Sequence, residues 1–194
     1  MTDRIKRADC RVETIPLSEA QFLVEHFHYA KGGANTATFR HGLIWRGSIV
    51  GVAWWIPPTR NAARANYPDN WKAVLALSRL VIAPGVPANA PTLLLGASVR
   101  LIRKDPRWEY LLTYADEWRG HTGHIYRAAG WDYLGKTSPE AVYVSADGVM
   151  MGRKRGPRTY RYDEMLAMGF ELKGRFAKHR FGKRLLKVPS SGAR

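Results

Sequence analysis

A single cysteine, Cys10, among 194 residues removes two options at once. No internal disulfide can form, and a zinc cage built from several thiolates is excluded. Acidic residues are also scarce: 16 Asp plus Glu stand against 31 Lys plus Arg, a formal charge of +15. That balance points to polyanions as partners, nucleic acid first among them. No apolar run approaches the roughly 18 residues that a membrane-spanning helix needs, and Met1-Thr2-Asp3-Arg4 opens polar. Neither export nor insertion is expected, so the cytoplasm is the expected location. There is no HExxH pattern, no zinc-finger spacing, no heptad zipper and no internal repeat. What remains is ample for folding. With 45% hydrophobic residues, seven Trp and nine Tyr, the chain can bury one sizeable core and is short for two.

The positive charge is unevenly placed. Residues 145–194 hold 13 basic and 4 acidic side chains, whereas 1–144 hold 18 and 12. The chain therefore divides into a body, 1–150, and a basic C-terminal segment, 151–194, expected to hold a helix, a strand and a disordered tail. Arg153, Lys154, Arg155, Arg158, Lys178, Arg180, Lys183 and Arg184 are interleaved there with Tyr160, Tyr162, Phe170, Phe176 and Phe181. Cations neutralise phosphates and aromatic faces stack on bases, so these eight are the candidate nucleic-acid contacts. The plainer alternative is a solvated basic tail whose aromatics pack on the body.

Hydrophobic patterning predicts an α/β sandwich. Residues 18–29 read as a helix, and 37–45 with 48–55 as a hairpin about Arg46-Gly47. Residues 59–71 read as an irregular functional loop after Pro57-Pro58. A strand over 75–82, an apolar helix over 92–104 and a short strand over 110–114 follow. A helix through 126–129 that Gly130 can cap, strands at 131–135 and 141–146, and a helix over 161–168 complete the series.

Several residues sit where chemistry is done. Asp116 follows the strand YLLTYA, and the carboxyl ends of strands line ligand crevices in open α/β sheets. It can accept a proton there; equally, it can cap the next helix. Tyr126 lies one turn into that helix, able to act as an acid or simply to pack. Arg79 is a charge within the apolar strand LSRLVI and needs an anionic partner. Ser78 and Arg79 alternate, so at most one of them lines a site. His28-Tyr29 borders the glycine loop at the end of the first helix, with His28 expected to be more exposed than His26.

YLLTYAD followed by GHTGHIYRAAGWDYLG closely resembles the strand–helix–strand ending of GNAT-fold acyltransferases. With His28-Tyr29-Ala30-Lys31-Gly32-Gly33, the strand GVAWWIPP and LSRLVI before a Pro-rich turn, the chain is similar, over about residues 20–145, to the bacteriophage Mom family of DNA-modification proteins. The resemblance implies a GNAT-like mixed, splayed β-sheet flanked by helices, with the basic segment as an extension. It implies conversion of adenine in phage DNA to N6-(carbamoylmethyl)adenine in the host cytoplasm, hiding restriction sites from nucleases. His28, Tyr29, Arg79, Asp116 and Tyr126 carry over as the family's functional positions. Lys31, Ser78 and Ser98 are further candidate substrate contacts, and Trp54, Trp55 or Trp118 are placed to stack on an extruded base.

One departure bears on the donor. GNAT enzymes hold the acyl-CoA pyrophosphate on a glycine-rich turn at a helix N-terminus. Here the turn is Ala83-Pro84-Gly85-Val86-Pro87-Ala88-Asn89-Ala90-Pro91, and three prolines remove three amide donors. An activated glycyl or acyl donor, either an aminoacyl-tRNA or an acyl-CoA, remains open, which makes tRNA a second prospective partner. Direct alkylation with an iron centre is the rival chemistry, without a strong iron signature in the sequence. Two other readings stand beside modification: a CoA-dependent N-acetyltransferase, and a non-catalytic nucleic-acid-binding module.

Overall fold

Period-two alternation and a few turn residues set the first half of the fold. β1 (Cys10–Thr14) leads into α1 (Leu17–Phe27), then β2 (Phe39–Trp45) and β3 (Ser48–Ile56) form a hairpin. Its turn residues Arg46 and Gly47 both hold positive φ, 51° and 79°, the twist that a two-residue hairpin loop requires. Next come α2 (Arg60–Asn66), β4 (Val74–Ile82), α3 (Ala90–Ile102), β5 (Tyr110–Asp116), α4 (His124–Ala128), β6 (Asp132–Lys136) and β7 (Glu140–Ser145). The chain continues through β8 (Met150–Met151), β9 (Lys154–Arg155), β10 (Arg158–Thr159), α5 (Tyr162–Ala167), β11 (Phe170–Phe176) and β12 (Lys178–Arg184). This computed structural model describes residues 4–29, 37–155 and 157–185.

Seven strands form one sheet in the order β1-β2-β3-β4-β5-β12-β6. Every neighbouring pair is antiparallel except β4 with β5. A parallel pair needs a crossover, which α3 provides. The parallel register runs only from Val74 opposite Tyr110 to Leu77 opposite Thr113. Beyond it both strands continue unpaired with each other, so the sheet splays. A smaller sheet, β11-β7-β8, and the ribbon β10-β9 lie outside the main one.

The two faces of the main sheet are covered separately. Ala20, Leu23 and Val24 of α1 pack with Val52, Trp54 and Val81, and Ala63 of α2 packs beside Val74, Ala76 and Leu112. On the opposite face α3 and α4 cover Leu43, Trp55, Leu75, Leu77, Leu111 and Phe181. Trp54 and Trp55 are consecutive in a strand and therefore point to opposite faces; each is completely buried.

Three differences from the sequence reading have clear causes. Residues 59–71 hold α2 and a 3₁₀ turn at Trp71–Ala73 in place of an irregular loop. Thr59 Oγ1 caps α2 by accepting the Ala62 N–H at 3.4 Å, and the helix buries only alanines, which leave little hydrophobic signal. The basic segment is not set beyond the body at residue 150. Its strand β12 lies between β5 and β6, and β11 pairs with β7. β12 hides in sequence because Lys178-His179-Arg180-Phe181-Gly182-Lys183-Arg184 carries a single large apolar residue; Phe181 is wholly buried. Ser98, Trp54 and Trp55, proposed as substrate contacts, lie in the core with 0% exposure.

Ser98 is a structural node. Its Oγ accepts the Trp55 indole N–H at 2.7 Å and meets His41 Nδ1 at 2.7 Å, so one hydroxyl ties α3 to β2 and β3. Because the indole can only donate, the Ser98 hydroxyl proton is available to a neutral His41. Burial pushes the His41 pKa down to about 4. Its folded value lies below the unfolded one, so the node is intact above pH ~6.5 and loses stability as pH falls towards 4, by up to about 3 kcal/mol. Urea unfolding between pH 7 and 4.5 should therefore show a steeper loss in the wild type than in His41→Gln. Ser98→Ala, which strands two buried groups, should cost about 1–3 kcal/mol without abolishing activity. Gly123 precedes α4 with φ of 73° and faces the Phe181 ring, into which any Cβ would run. Gly123→Ala should cost about 2 kcal/mol or more, read as a lowered urea midpoint.

Candidate functional site

The alternation of β4 breaks at one residue. Trp54 of β3 faces Arg79, yet Trp55 faces Leu77, leaving Ser78 as an extra residue in β4. This bulge resets the pleat. Before it, Leu75 and Leu77 face α3; after it, Leu80 and Ile82 do, while Arg79 joins the α2 face. The expectation that only one of Ser78 and Arg79 can line a site thus fails, because it assumes an unbroken strand. Arg79 Nη1 donates to the Ser78 carbonyl at 2.8 Å and to Ser78 Oγ at 3.2 Å.

Two hollows flank the splay. One, of about 360 Å³, opens on the α3 and α4 side and is walled by Leu80, Ile82, Thr113, His121, Gly123 and Tyr126, among others. The other, of about 310 Å³, opens on the α2 side, where Thr59, Ala62, Arg79, Asp116 and Lys178 line it. Tyr29, Leu77, Ser78 and Tyr114 belong to both walls. The two spaces are therefore separated only by the residues that fill the gap between β4 and β5.

Asp116 and Tyr126, 5% and 8% exposed, are buried but each borders a hollow. Asp116 caps the turn that follows β5 and also borders the α2-side hollow. Its Oδ1 accepts the Trp118 N–H at 3.2 Å as a cap, and its Oδ2 accepts the Tyr29 hydroxyl at 3.4 Å beside the α2-side space. Burial, then the nearby Asp116 charge, raises the Tyr29 pKa to about 12, so this phenol stays protonated at neutral pH and can donate. Burial also raises the Tyr126 pKa, and Thr113 is its hydrogen-bonding neighbour. Thr113 in turn donates to the Leu77 carbonyl at 3.3 Å. Each hollow thus meets a neutral phenol, and the α2-side one also meets a carboxylate and a guanidinium.

His28 caps the C-terminus of α1 in an extended conformation, its N–H donating to the Val24 carbonyl. It is half-buried, stacked on Tyr29 with ring centroids 4.4 Å apart and lining the α3-side hollow. His26 is the exposed one, reversing the expectation, because the helix ends at Phe27 and turns His28 inward. Arg119 lies over the Tyr29 ring at 4.8 Å, holding it from outside. Lys31 lies outside the described residues. Trp118 packs on Phe176 at 4.9 Å and lines neither hollow. Three histidines border the α3-side hollow, yet among the described residues no three His, Cys, Asp or Glu side chains converge to hold a metal. The residues do not fit an iron centre.

The expected nucleic-acid contacts divide in use. Lys178 faces the α2-side hollow. Lys183 Nζ donates to the Gly130 and Ala129 carbonyls at 2.7 and 3.2 Å, capping the C-terminus of α4. Arg180 donates to the Leu134 carbonyl at 2.8 Å, and Arg184 to Tyr67 Oη at 3.4 Å. These three tie β12 to β6, to the end of α4 and to Tyr67 after α2. Arg158 pairs with Glu164 at 2.8 Å and covers Tyr160, while Arg153 donates to the Tyr160 carbonyl. Lys154 and Arg155 form β9. Sequence reasoning passed over Tyr114 and Thr113, whose only signal is membership of the strand YLLTYAD, and over His121 and Arg119 beyond it.

The phosphate cradle expected of a CoA site is depleted. Pro84, Pro87 and Pro91 have no N–H, the Ala90 N–H donates to the Pro87 carbonyl and the Leu93 N–H to the Asn89 carbonyl. The Asn89 side chain is committed elsewhere, gripping the Ile5 backbone through both Oδ1 and Nδ2. These residues do not fit the usual pyrophosphate cradle.

Comparison with known proteins places this geometry. The sequence profile of the Mom protein family matches residues 9–182. The methylcarbamoylase mom of Escherichia phage Mu is 26% identical over 144 residues, 72% of this chain; the match spans 58% of that relative's length. Among solved structures, an N-acetyltransferase from Staphylococcus aureus Mu50 superposes with a TM-score of 0.56 at 9% identity, covering 91% of this chain and 99% of that one. Spermidine N-acetyltransferase from Vibrio cholerae, in complex with CoA and spermine, gives 0.57 at 9% identity, covering 93% and 98%. These likenesses show the fold, that of GNAT acetyltransferases with a splayed mixed sheet. With its profile matched over most of its length, the chain belongs to the Mom protein family.

Proposed function

We propose that this chain is a phage DNA-modifying transferase that converts adenine to N6-(carbamoylmethyl)adenine, acting by acyl transfer across the splay of its sheet. The observation that carries the reading is the pair of hollows sharing one wall, with Asp116 on one side and Tyr126 on the other. A two-substrate transfer needs such an arrangement: acceptor and donor enter from opposite faces and meet where β4 and β5 part. The acceptor base is assigned to the α2-side hollow because a carboxylate is there to take its proton. Adenine N6 is engaged in pairing within a duplex, so the base must be everted to reach it.

The roles follow from chemistry and position. N6 is a weak nucleophile, its lone pair delocalised into the ring, so Asp116 serves as general base as the new bond forms. Tyr126, a neutral phenol on the donor side, donates to the oxyanion that develops on the donor carbonyl. Tyr29 holds the Asp116 carboxylate, and Arg79 steadies negative charge beside it. The donor is an activated glycyl ester, as on an aminoacyl-tRNA. The ester bond breaks, an amide forms at N6 and the alcohol departs with the proton. The freed glycyl amine then attacks ring carbon C6 through a five-membered spiro intermediate, and the original N6 leaves C6 as the primary amide. Atoms balance with no oxidant, and only acyl-transfer chemistry is used.

A CoA-dependent N-acetyltransferase is the second reading, favoured by the fold likeness and opposed by the proline-rich turn. Mass spectrometry of nucleosides from cells expressing the chain separates the possibilities. A modified deoxyadenosine is expected from the wild type. Asp116→Asn should lower it on the order of 10²-fold or more while DNA affinity is kept. Absence of product with intact DNA binding makes the chain a binding module, and turnover of acetyl-CoA makes it an acetyltransferase. Glycine labelled with heavy nitrogen tests the rearrangement: the label belongs on the nitrogen attached to C6, and label confined to the terminal amide overturns it.

A further inference from the structure

The helix that walls the α2-side hollow carries charge that the fold does not use. Arg60 and Arg64 lie one turn apart on α2, both exposed, and Lys72 follows on the 3₁₀ turn. All three reach the same aromatic ring. The Arg60 and Arg64 guanidinium carbons are each 5.4 Å from the Trp71 ring centroid, and Lys72 Nζ is 5.9 Å away. Among the described residues none of the three has a carboxylate within ion-pair distance, and Asp69 is the sole acid between positions 60 and 72.

This arrangement breaks local rules. Arg60 occupies the first position of α2, where the positive end of the helix dipole disfavours a cation. Three like charges around one ring also repel one another, and among the described residues no acid pairs with them. Lys183 and Arg180, by contrast, are engaged with carbonyls of the fold. An unbalanced cluster beside the acceptor hollow is better matched to an external polyanion, and the cation–π contacts hold it ready.

We infer that Arg60, Arg64, Lys72 and Trp71 form a binding surface for the DNA phosphate backbone next to the everted base. The inference rests on the DNA reading above and adds a surface that composition alone placed elsewhere, in the C-terminal segment. Thr59, the cap of α2, and Ala62 within it line the hollow, so phosphates held by Arg60 and Arg64 belong to the nucleotides flanking the one that enters it.

The test measures fluorescence anisotropy of the full chain with a fluorescein-labelled duplex carrying one unpaired adenine, across a range of salt concentrations. Each phosphate contact contributes about 0.9 to the slope of log affinity against log salt. Arg60→Gln with Arg64→Gln should weaken binding and lower the slope by about 1.8, and Arg60→Lys with Arg64→Lys should restore it. If the glutamine pair compromises folding, Lys72→Gln alone carries the test, with a decrease of about 0.9. A wild type that binds, with a slope unchanged in these variants, overturns the inference and leaves the DNA reading standing. A lysine pair that fails to restore the slope also overturns it. A wild type with no salt-dependent DNA binding overturns the DNA reading, and the inference falls with it.

Discussion

Parallel pairing between β4 and β5 stops after four residue pairs, and the functional geometry depends on that stop. Backbone groups past Leu77 and Thr113 are not offered to each other, so the gap must be filled by side chains or by ligands. Tyr29, Ser78 and Tyr114 take the inner positions, and the remaining space becomes two hollows. The bulge at Ser78 is the companion feature. Without it Arg79 would point into the α3 side beside Leu77, and Leu80 and Ile82 would turn to the α2 side. With it the guanidinium shares a face with Asp116, and β4 lines the α3-side wall with Leu77, Ser78, Leu80 and Ile82, none of them charged. A one-residue irregularity in a single strand thus separates a charged chamber from a largely neutral one.

That separation divides the chemistry. Asp116 and Tyr126 border opposite faces of the sheet, so in the proposed transfer they meet different atoms. The carboxylate suits removal of a proton from an entering amine, and the phenol suits stabilisation of an oxygen on the partner molecule. The Tyr29, Tyr114 and Tyr126 phenols are all shifted upward by burial, which keeps them protonated throughout the neutral range. The node at Ser98 supports this from behind. It pins α3 against β2 and β3, and α3 is the crossover that sets β4 and β5 side by side.

Sequence legibility followed burial pattern. The hairpin, β4, α3 and β5 announce themselves through apolar periodicity and turn residues, and Asp116 was visible because it ends a strongly hydrophobic strand. Features that consume little apolar area were silent. α2 buries alanines, β12 buries one phenylalanine among cations, and the bulge adds one ordinary serine. The tryptophans show the opposite error: Trp54 and Trp55 advertise stacking by residue type, but strand alternation sends both into cores. Charge was equally ambiguous. Lys183 and Arg180 looked like phosphate contacts because sequence cannot display the carbonyls of Ala129, Gly130 and Leu134 that occupy them.

The same reasoning explains why departure at the α3 N-terminus matters more than likeness elsewhere. A GNAT fold gives a splayed sheet, and the splay alone is indifferent to the donor. Donor identity is written in the groups that meet its phosphates or its equivalent anchor. Here prolines occupy the turn, and Asn89, a residue type suited to capping a helix, is instead spent on the Ile5 backbone. At the place of that cradle the chain has a clamp on its own N-terminal segment. In the proposed transfer a donor held by a different anchor suits this turn, and an aminoacyl ester carried on a polyanion can supply that anchor through its own backbone.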